Sequence, residues 1–232
     1  MAQQRKATVE KAAAKEGDRR RTILRAAIDV FARKGYHGCR IADVAREAGV
    51  AYGLVYHYFR NKDELLQMVF EAGWTGFITR LNAVAAGEGS FAEKVRGMVE
   101  VAFEAYRHDP RAVRVLILEI ARSPAGARIN RQSALMDVIR MCADLFHHAQ
   151  QAGEMRRDVE PVLAATFLFG AVEMGLTAFV AGLMDAREAG ALDRAKAQLA
   201  ESFLRGVLPD GALESAWKGE RPASRIKANR RT

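Results

Sequence analysis

Apolar residues recur at spacings of three and four along most of the chain, the period of amphipathic helices. Ile23, Ala26, Ala27, Val30 and Phe31 form one face of a first helix over about 19–34, with Asp18 as its N-cap and Gly35 as its stop. Ile41, Val44, Ala45 and Ala48 mark a short second helix, closed by Gly49. Val55, Tyr56 and Phe59 mark the inner side of a third, over about 52–59. Asn61-Lys62-Asp63-Glu64 is a capping pattern for a fourth helix, which runs through Phe70, Trp74, Phe77 and Leu81 to about Ala86. Ser90-Phe91-Ala92-Glu93 is a capping box for a fifth, to about His108. Asp109-Pro110 opens a sixth, over about 110–123, with Val113, Leu116, Ile117 and Ile120 as a broad apolar face. A seventh over about 127–151 carries Leu135, Val138, Ile139, Cys142, Leu145 and Phe146; an eighth spans about 160–184 and a ninth about 190–207, before Pro209. The pattern predicts an all-α chain of about nine helices.

Two short helices joined by a Gly-containing turn form a helix-turn-helix, here residues 41–60. The second helix of such a unit lies in the DNA major groove. Gly35-Tyr36, Ile41, Val44-Ala45, Ala48-Gly49-Val50, Val55-Tyr56, Tyr58-Phe59, Lys62 and Leu65 together resemble the DNA-binding domain of the tetracycline-repressor-like (TetR/AcrR) family, over about residues 18–78. The resemblance implies a three-helix DNA-binding domain at 18–78, followed by a larger helical ligand-binding and dimerisation domain at 79–217. It also implies that Lys62 touches the DNA backbone. The sequence departs from the family where a Ser or Thr usually precedes each short helix: Cys39 and Ala51 stand there, and Leu54 replaces a small hydroxyl. The outward candidates for base or phosphate contact are Tyr52, Gly53, Leu54, His57 and Tyr58, with Tyr56 half core and half phosphate contact and Arg40 at the flank. Leu54 suits a thymine methyl and His57 a purine acceptor. Arg21, in the cluster Arg19-Arg20-Arg21 with Arg25, is placed to reach phosphates.

Charge supports that partner. The net charge is +8 overall, +8 over residues 1–62, −5 over 63–217 and +5 over 218–232. A basic footprint confined to the helix-turn-helix end and the tail favours double-stranded DNA. Residues 1–17 read as a flexible basic arm and 218–232 as a basic disordered tail. Cys39 and Cys142 are far apart and outside any metal-ligand spacing, which fits a reduced, cytoplasmic setting without disulfides. The five His do not converge on a metal, and no phosphate loop, nucleophile elbow or carboxylate pair appears, so neither cofactor nor enzyme activity is expected. Val162–Met184 is long and apolar enough to cross a bilayer, but Glu173 in mid-span favours a buried helix over a membrane partner.

The family resemblance further implies an inducer pocket bounded by helices four to eight. Phe77, Phe103, Tyr106, Leu116, Met136, Ile139, Phe146 and Phe169 are its candidate lining, each with plain core as the alternative. Residues 110–123 loosely resemble the sixth-helix region of fatty-acid-responsive members that bind acyl-coenzyme A. The small residues Ala171, Gly175, Ala178 and Gly182, with Leu199 on helix nine, suit close helix approach, and the family places its dimer interface on the last two helices. The expectation is a homodimeric transcriptional regulator: a repressor that binds a pseudo-palindromic operator and is released by a small apolar effector. A ligand-independent DNA-organising protein of the same fold, and a small helical enzyme, are the alternatives.

Overall fold

The computed structural model describes residues 2–121 and 131–209, and among them every regular element is a helix. In order these are α1 (Ala2–Lys34), α2 (Ile41–Glu47), α3 (Tyr52–Tyr58), α4 (Lys62–Ala86), α5 (Phe91–His108), α6 (Pro110–Arg114), α7 (Arg131–Gln151), α8 (Pro161–Val180) and α9 (Ala191–Val207). Helix α6 passes directly into a π-helical segment, Val115–Ala121. The capping patterns act as the sequence predicts. Asn61 Oδ1 accepts the Glu64 N–H at 2.8 Å, and the Glu93 carboxylate accepts the Ser90 N–H at 2.8 Å. Asp109 Oδ1 accepts the N–H groups of Arg111 and Ala112, both at 3.1 Å. Each satisfies donors that a helix start otherwise leaves open.

Three boundaries differ from the expected ones. Helix α1 begins at Ala2, so residues 2–17 are its first turns rather than an arm. That stretch is rich in Ala, Lys, Glu and Gln, and spaces Lys6–Glu10 and Glu16–Arg20 as i,i+4 pairs. Asp18, expected as N-cap, sits within the helix, where its main-chain oxygen accepts from Thr22 Oγ1 at 2.9 Å. The sixth helix is five residues of α followed by the π segment. Helix α8 stops at Val180 because Gly182 takes φ +75°, and the Leu183 N–H closes back on the Ala178 carbonyl at 2.8 Å. The expected start of the seventh helix at 127 and the basic tail at 218–232 lie outside the described residues.

Buried side chains form two clusters. The smaller one, at the N-terminal end, gathers α1, α2, α3 and the start of α4 around Ile23, Val30, Phe31, Val44, Val55 and Leu65. The larger is built from α5, α7, α8 and α9, with Leu81 from the far end of α4. Trp74, midway along α4, packs against both. Val113 and Ile117 enter the larger cluster while Val115 between them enters the smaller one, so the α6–π segment lies sandwiched between the two. Helix α8 is long and apolar enough to span a bilayer, yet Ala164, Ala165, Leu168, Leu176, Phe179 and Val180 are buried within this chain.

The small-residue row on α8, expected at an intersubunit seam, meets neighbours of its own chain at Gly175. A Cβ on Gly175 would stand 3.0 Å from Leu199 Cδ1 and 3.7 Å from Phe103 Cζ, both in the same chain. Leu199 packs against the larger cluster, Ala171 and Ala178 are half-buried, and Gly182 lies in the turn beyond the helix. A small residue is needed wherever two backbones close up, within one chain or between two, and here α8 closes on α9 and α5. Gly175→Leu should therefore lower stability by roughly 1–3 kcal/mol through overpacking, seen as a lower urea midpoint with the oligomeric state unchanged. A variant of full stability that had become monomeric would return Gly175 to a subunit interface.

Candidate nucleic-acid interface and effector cleft

The helix-turn-helix is positioned by its own apolar residues. Ile41, Val44 and Ala45 bury the inner side of α2. Gly49 at φ +65° turns the chain, and the Val50 N–H returns to the Ala45 carbonyl at 3.0 Å. Val55 (0% exposed) and Phe59 (1%) then anchor α3 at its middle and end. The opposite side of α3 is left outward: Tyr52 (53% exposed), Tyr56 (44%), Gly53 and His57. A Cβ on Gly53 would meet nothing within 4 Å, so bare backbone is open to close approach.

Tyr52 and Tyr56 are coupled one turn apart, with ring centroids 5.1 Å apart and nearly edge-on. The Tyr52 and Tyr56 hydroxyls share a hydrogen bond at 3.2 Å. The contact with the neighbouring phenol raises the Tyr56 hydroxyl above its ordinary value and favours its neutral form. Tyr56, expected as half core and half phosphate contact, is 44% exposed. Tyr58 is the half-buried one and packs on the head's core, and Leu54 is also half-buried. Arg40 stands exposed at the start of α2, where its N–H donates to the Asp43 carboxylate at 2.9 Å. Lys34 pairs with the same carboxylate at 2.8 Å, and the two hold Asp43 below the usual carboxylate range. Arg21 is exposed on α1 and paired with Asp18. Arg20 sits with its guanidinium 5.7 Å from the Phe59 ring centroid, a basic group held on the flank of the head.

Lys62, expected to touch the DNA backbone, makes bonds within the head. Its ammonium donates to the main-chain carbonyls of Tyr36 at 2.6 Å and Cys39 at 2.9 Å, and lies 4.3 Å from the Tyr36 ring centroid. It is half-buried and ties the α1–α2 loop to the start of α4. Cys39, on the same loop, is buried, and burial raises its thiol above the ordinary value. Burial pushes the Cys142 thiol up to about 11. Neither is poised as a nucleophile.

A cleft of about 470 Å³ opens between α4 and α7. Phe70, Trp74, Ile78, Val138 and Met141 give it an apolar wall, and Glu71, Thr75, Thr79, Asn82 and Asp137 a polar rim. Phe70 and Trp74 stack at 5.3 Å. None of the eight residues expected to line a pocket borders this cleft. Phe103 and Tyr106 pack on Phe179, and Phe146 packs between Phe91 and Phe203, all as core. Ile139 is 8% exposed in the same core, while Phe77 and Phe169 cover it from outside. Leu116 packs on the smaller cluster, and Met136 is 39% exposed. Aromatic residues interlock into a core as readily as they line a void, and periodicity does not separate the two. The readable signal lay in the polar series Glu71, Thr75, Thr79 and Asn82, a seam along one side of an otherwise apolar helix. Among the described residues no cluster of His, Cys, Asp and Glu is arranged to hold a metal.

Comparison with known proteins bears on both features. The model of bacterial regulatory proteins of the tetR family matches residues 23–69, and that of the YsiA-like protein C-terminal region matches 70–187, half of the chain by itself. The chain belongs to the tetR family of bacterial regulatory proteins. The fatty acid metabolism regulator protein of Bacillus subtilis is 27% identical over 158 residues, which are 68% of this chain and 81% of the relative. The fatty acid degradation regulator FadR from Bacillus halodurans superposes with a TM-score of 0.73 at 24% identity, over 81% of this chain and 95% of that one. FadR from Bacillus subtilis, solved in complex with stearoyl-CoA, gives 0.71 at 25% identity, over 80% of this chain and 97% of that one. This tetR-family chain is therefore a DNA-binding transcriptional regulator, with α1–α3 as its head. The two family models meet at residues 69 and 70, inside α4, where the core of the head gives way to that of the body.

Because Lys62 bonds inward, Lys62→Met should destabilise the head by about 2 kcal/mol, the order of a lost charge-assisted hydrogen bond. The salt dependence of DNA binding should stay unchanged. Unaltered stability with a salt slope reduced by about one unit would make Lys62 a phosphate contact after all.

Proposed function

We propose that this chain is a cytoplasmic repressor that binds a pseudo-palindromic operator as a homodimer and is released by a long-chain fatty acyl-coenzyme A. The observation that carries the ligand-release reading is the position of Phe70. It is buried in the core of the DNA-binding head and also walls the α4–α7 cleft. A ligand that occupies the cleft has differential affinity for two head positions only if it touches something the head moves with, and Phe70 is such a group. The ligand class is supported by the relative solved with stearoyl-CoA and by the apolar wall of the cleft. The named relatives are regulators rather than enzymes. In the test, stearoyl-CoA, coenzyme A and stearate are each titrated into the protein–operator complex. Stearoyl-CoA alone should release the DNA. Thr75→Trp, which fills the cleft from an exposed position, should keep operator affinity while raising the stearoyl-CoA needed for half-release by roughly tenfold or more. Release that the Thr75→Trp change leaves untouched would place the ligand elsewhere.

The second copy is assigned to the outer face of α8. Leu163 (68% exposed), Phe167 (65%) and Met174 (57%) recur along one side of that helix, and a Cβ on Gly170 between them would meet nothing. So large an apolar row on one helix is an interaction surface, and a self-complementary one suits a two-fold pair. A paired helix-turn-helix needs its recognition helices about one DNA turn, roughly 34–36 Å, or a multiple apart, which a dimer supplies. Phe167→Asp should give a folded monomer by light scattering, with tight operator binding lost. A variant that remained dimeric would move the interface off α8.

A further inference from the structure

Helix α6 ends in an arginine that joins the DNA-binding head to the helix assigned to dimerisation. Arg114 Nε donates to the Ala32 carbonyl at 3.1 Å, and Nη1 donates to the Val180 carbonyl at 3.0 Å. Ala32 lies in the last turn of α1, and Val180 is the last residue of α8. Both acceptors are among the final carbonyls that a helix leaves without intrahelical partners, and both sit at the negative end of a helix dipole. One guanidinium thus caps two helix C-termini that come from different parts of the molecule. Its rigid fork can satisfy both at once, where a single ammonium point charge is suited to neither direction fully. Two further links run to the head: Arg111 of α6 pairs with Asp29 of α1 at 2.7 Å, and the Glu119 carboxylate of the π-helical segment accepts the Tyr36 N–H at 2.8 Å. Among these contacts the Arg114 bridge is the one that reaches α8.

We propose that Arg114 is a positioning residue for operator recognition: by holding α1 against the end of α8 it fixes the angle of each head on the dimer, and with it the separation of the two recognition helices. The proposal rests on the dimeric reading above. A residue that acts in this way leaves the chemistry of each half-site contact alone and alters only which spacing of half-sites is accepted. A residue that merely supports the fold would weaken every duplex equally.

The experiment measures binding of the full chain to one set of duplexes that carry identical half-sites at different separations, and to a single half-site. Wild-type protein should prefer one separation. Arg114→Met keeps the length of the stem and removes the fork. It should remain dimeric, bind the single half-site as before, and lose about tenfold of the preference for the best over the neighbouring separation, equivalent to about 1.4 kcal/mol. Arg114→Lys retains the charge and at most one of the two carbonyl bonds; it keeps the measurement possible should the Met variant fold poorly, and should lose part of the preference. Arg111→Gln removes a contact between α6 and the head without touching α8, and should keep the preference whole. An unchanged preference in Arg114→Lys and Arg114→Met overturns the proposal while the dimeric reading stands, and so does an equal loss in Arg111→Gln. A wild-type protein with no spacing preference overturns the dimeric reading itself, and this proposal with it.

Discussion

Two hydrophobic cores share one continuous helix, and the rest of the structure depends on that constraint. Helix α4 gives Leu65, Leu66, Val69 and Phe70 to the head and Leu81 to the body, with Trp74 against both. A helix cannot bend sharply at no cost: its main-chain hydrogen bonds run through the junction, and no Pro or inserted turn interrupts 62–86. The head therefore cannot pivot freely on a linker. It moves only as α4 moves, and what presses on α4 is felt by α3. The α4–α7 cleft opens on the segment of α4 that spans the junction. This is where a small displacement is shared by both cores, and packed cores answer such displacements by shifting between arrangements rather than deforming smoothly.

The π-helical segment is the second tie across the junction, and its apolar residues serve both cores. Val113 and Ile117, four apart, face the body, and Val115 between them faces the head. Residues two apart on a helix point to nearly opposite sides. A run apolar on both sides looks like a broad face when one partner is assumed, and is two faces when there are two. Helix α8 carries the same ambiguity, with small residues that suit close approach within one chain or between two. Gly175 is spent on α9 and α5, and the outward row is Leu163, Phe167 and Met174. Apolar composition tells that a helix has partners; only the packing tells how many and on which side.

The local features of the chain were the most legible. Caps at Asn61 and Ser90 rest on residues three apart and form the expected bonds, and Asp109 caps the helix start expected at Pro110. The helix-turn-helix was legible for the same reason, since Gly49, Val50 and Val55 fix it within a dozen residues. The outward set Tyr52, Gly53 and His57 follows once Val55 is known to point in. Lys62 was not legible, because its carbonyl partners are 26 and 23 residues away. The lining of the α4–α7 cleft was not legible for a related reason. Which of many Phe and Met side chains borders a void is decided by the fit of helices distant in sequence, while the polar seam on α4 was local and could have been read.

Lys62 also shows how this head manages without the usual hydroxyl caps. Cys39 and Ala51 leave α2 and α3 without side-chain acceptors at their starts, and neither helix has a side-chain cap bond. For α2 the deficit is met from inside the helix, since Asp43 reaches back to the Arg40 N–H. The loop before it is held by the Lys62 ammonium on the Tyr36 and Cys39 carbonyls. Tyr36 is held in turn from the body, through its N–H on Glu119 of the π-helical segment. The loop that sets the entry angle of α2 is therefore pinned by α4 on one side and by the body on the other. Fixing it this way makes the orientation of the helix-turn-helix depend on the junction. A head capped entirely by its own hydroxyls would set that orientation independently of the junction.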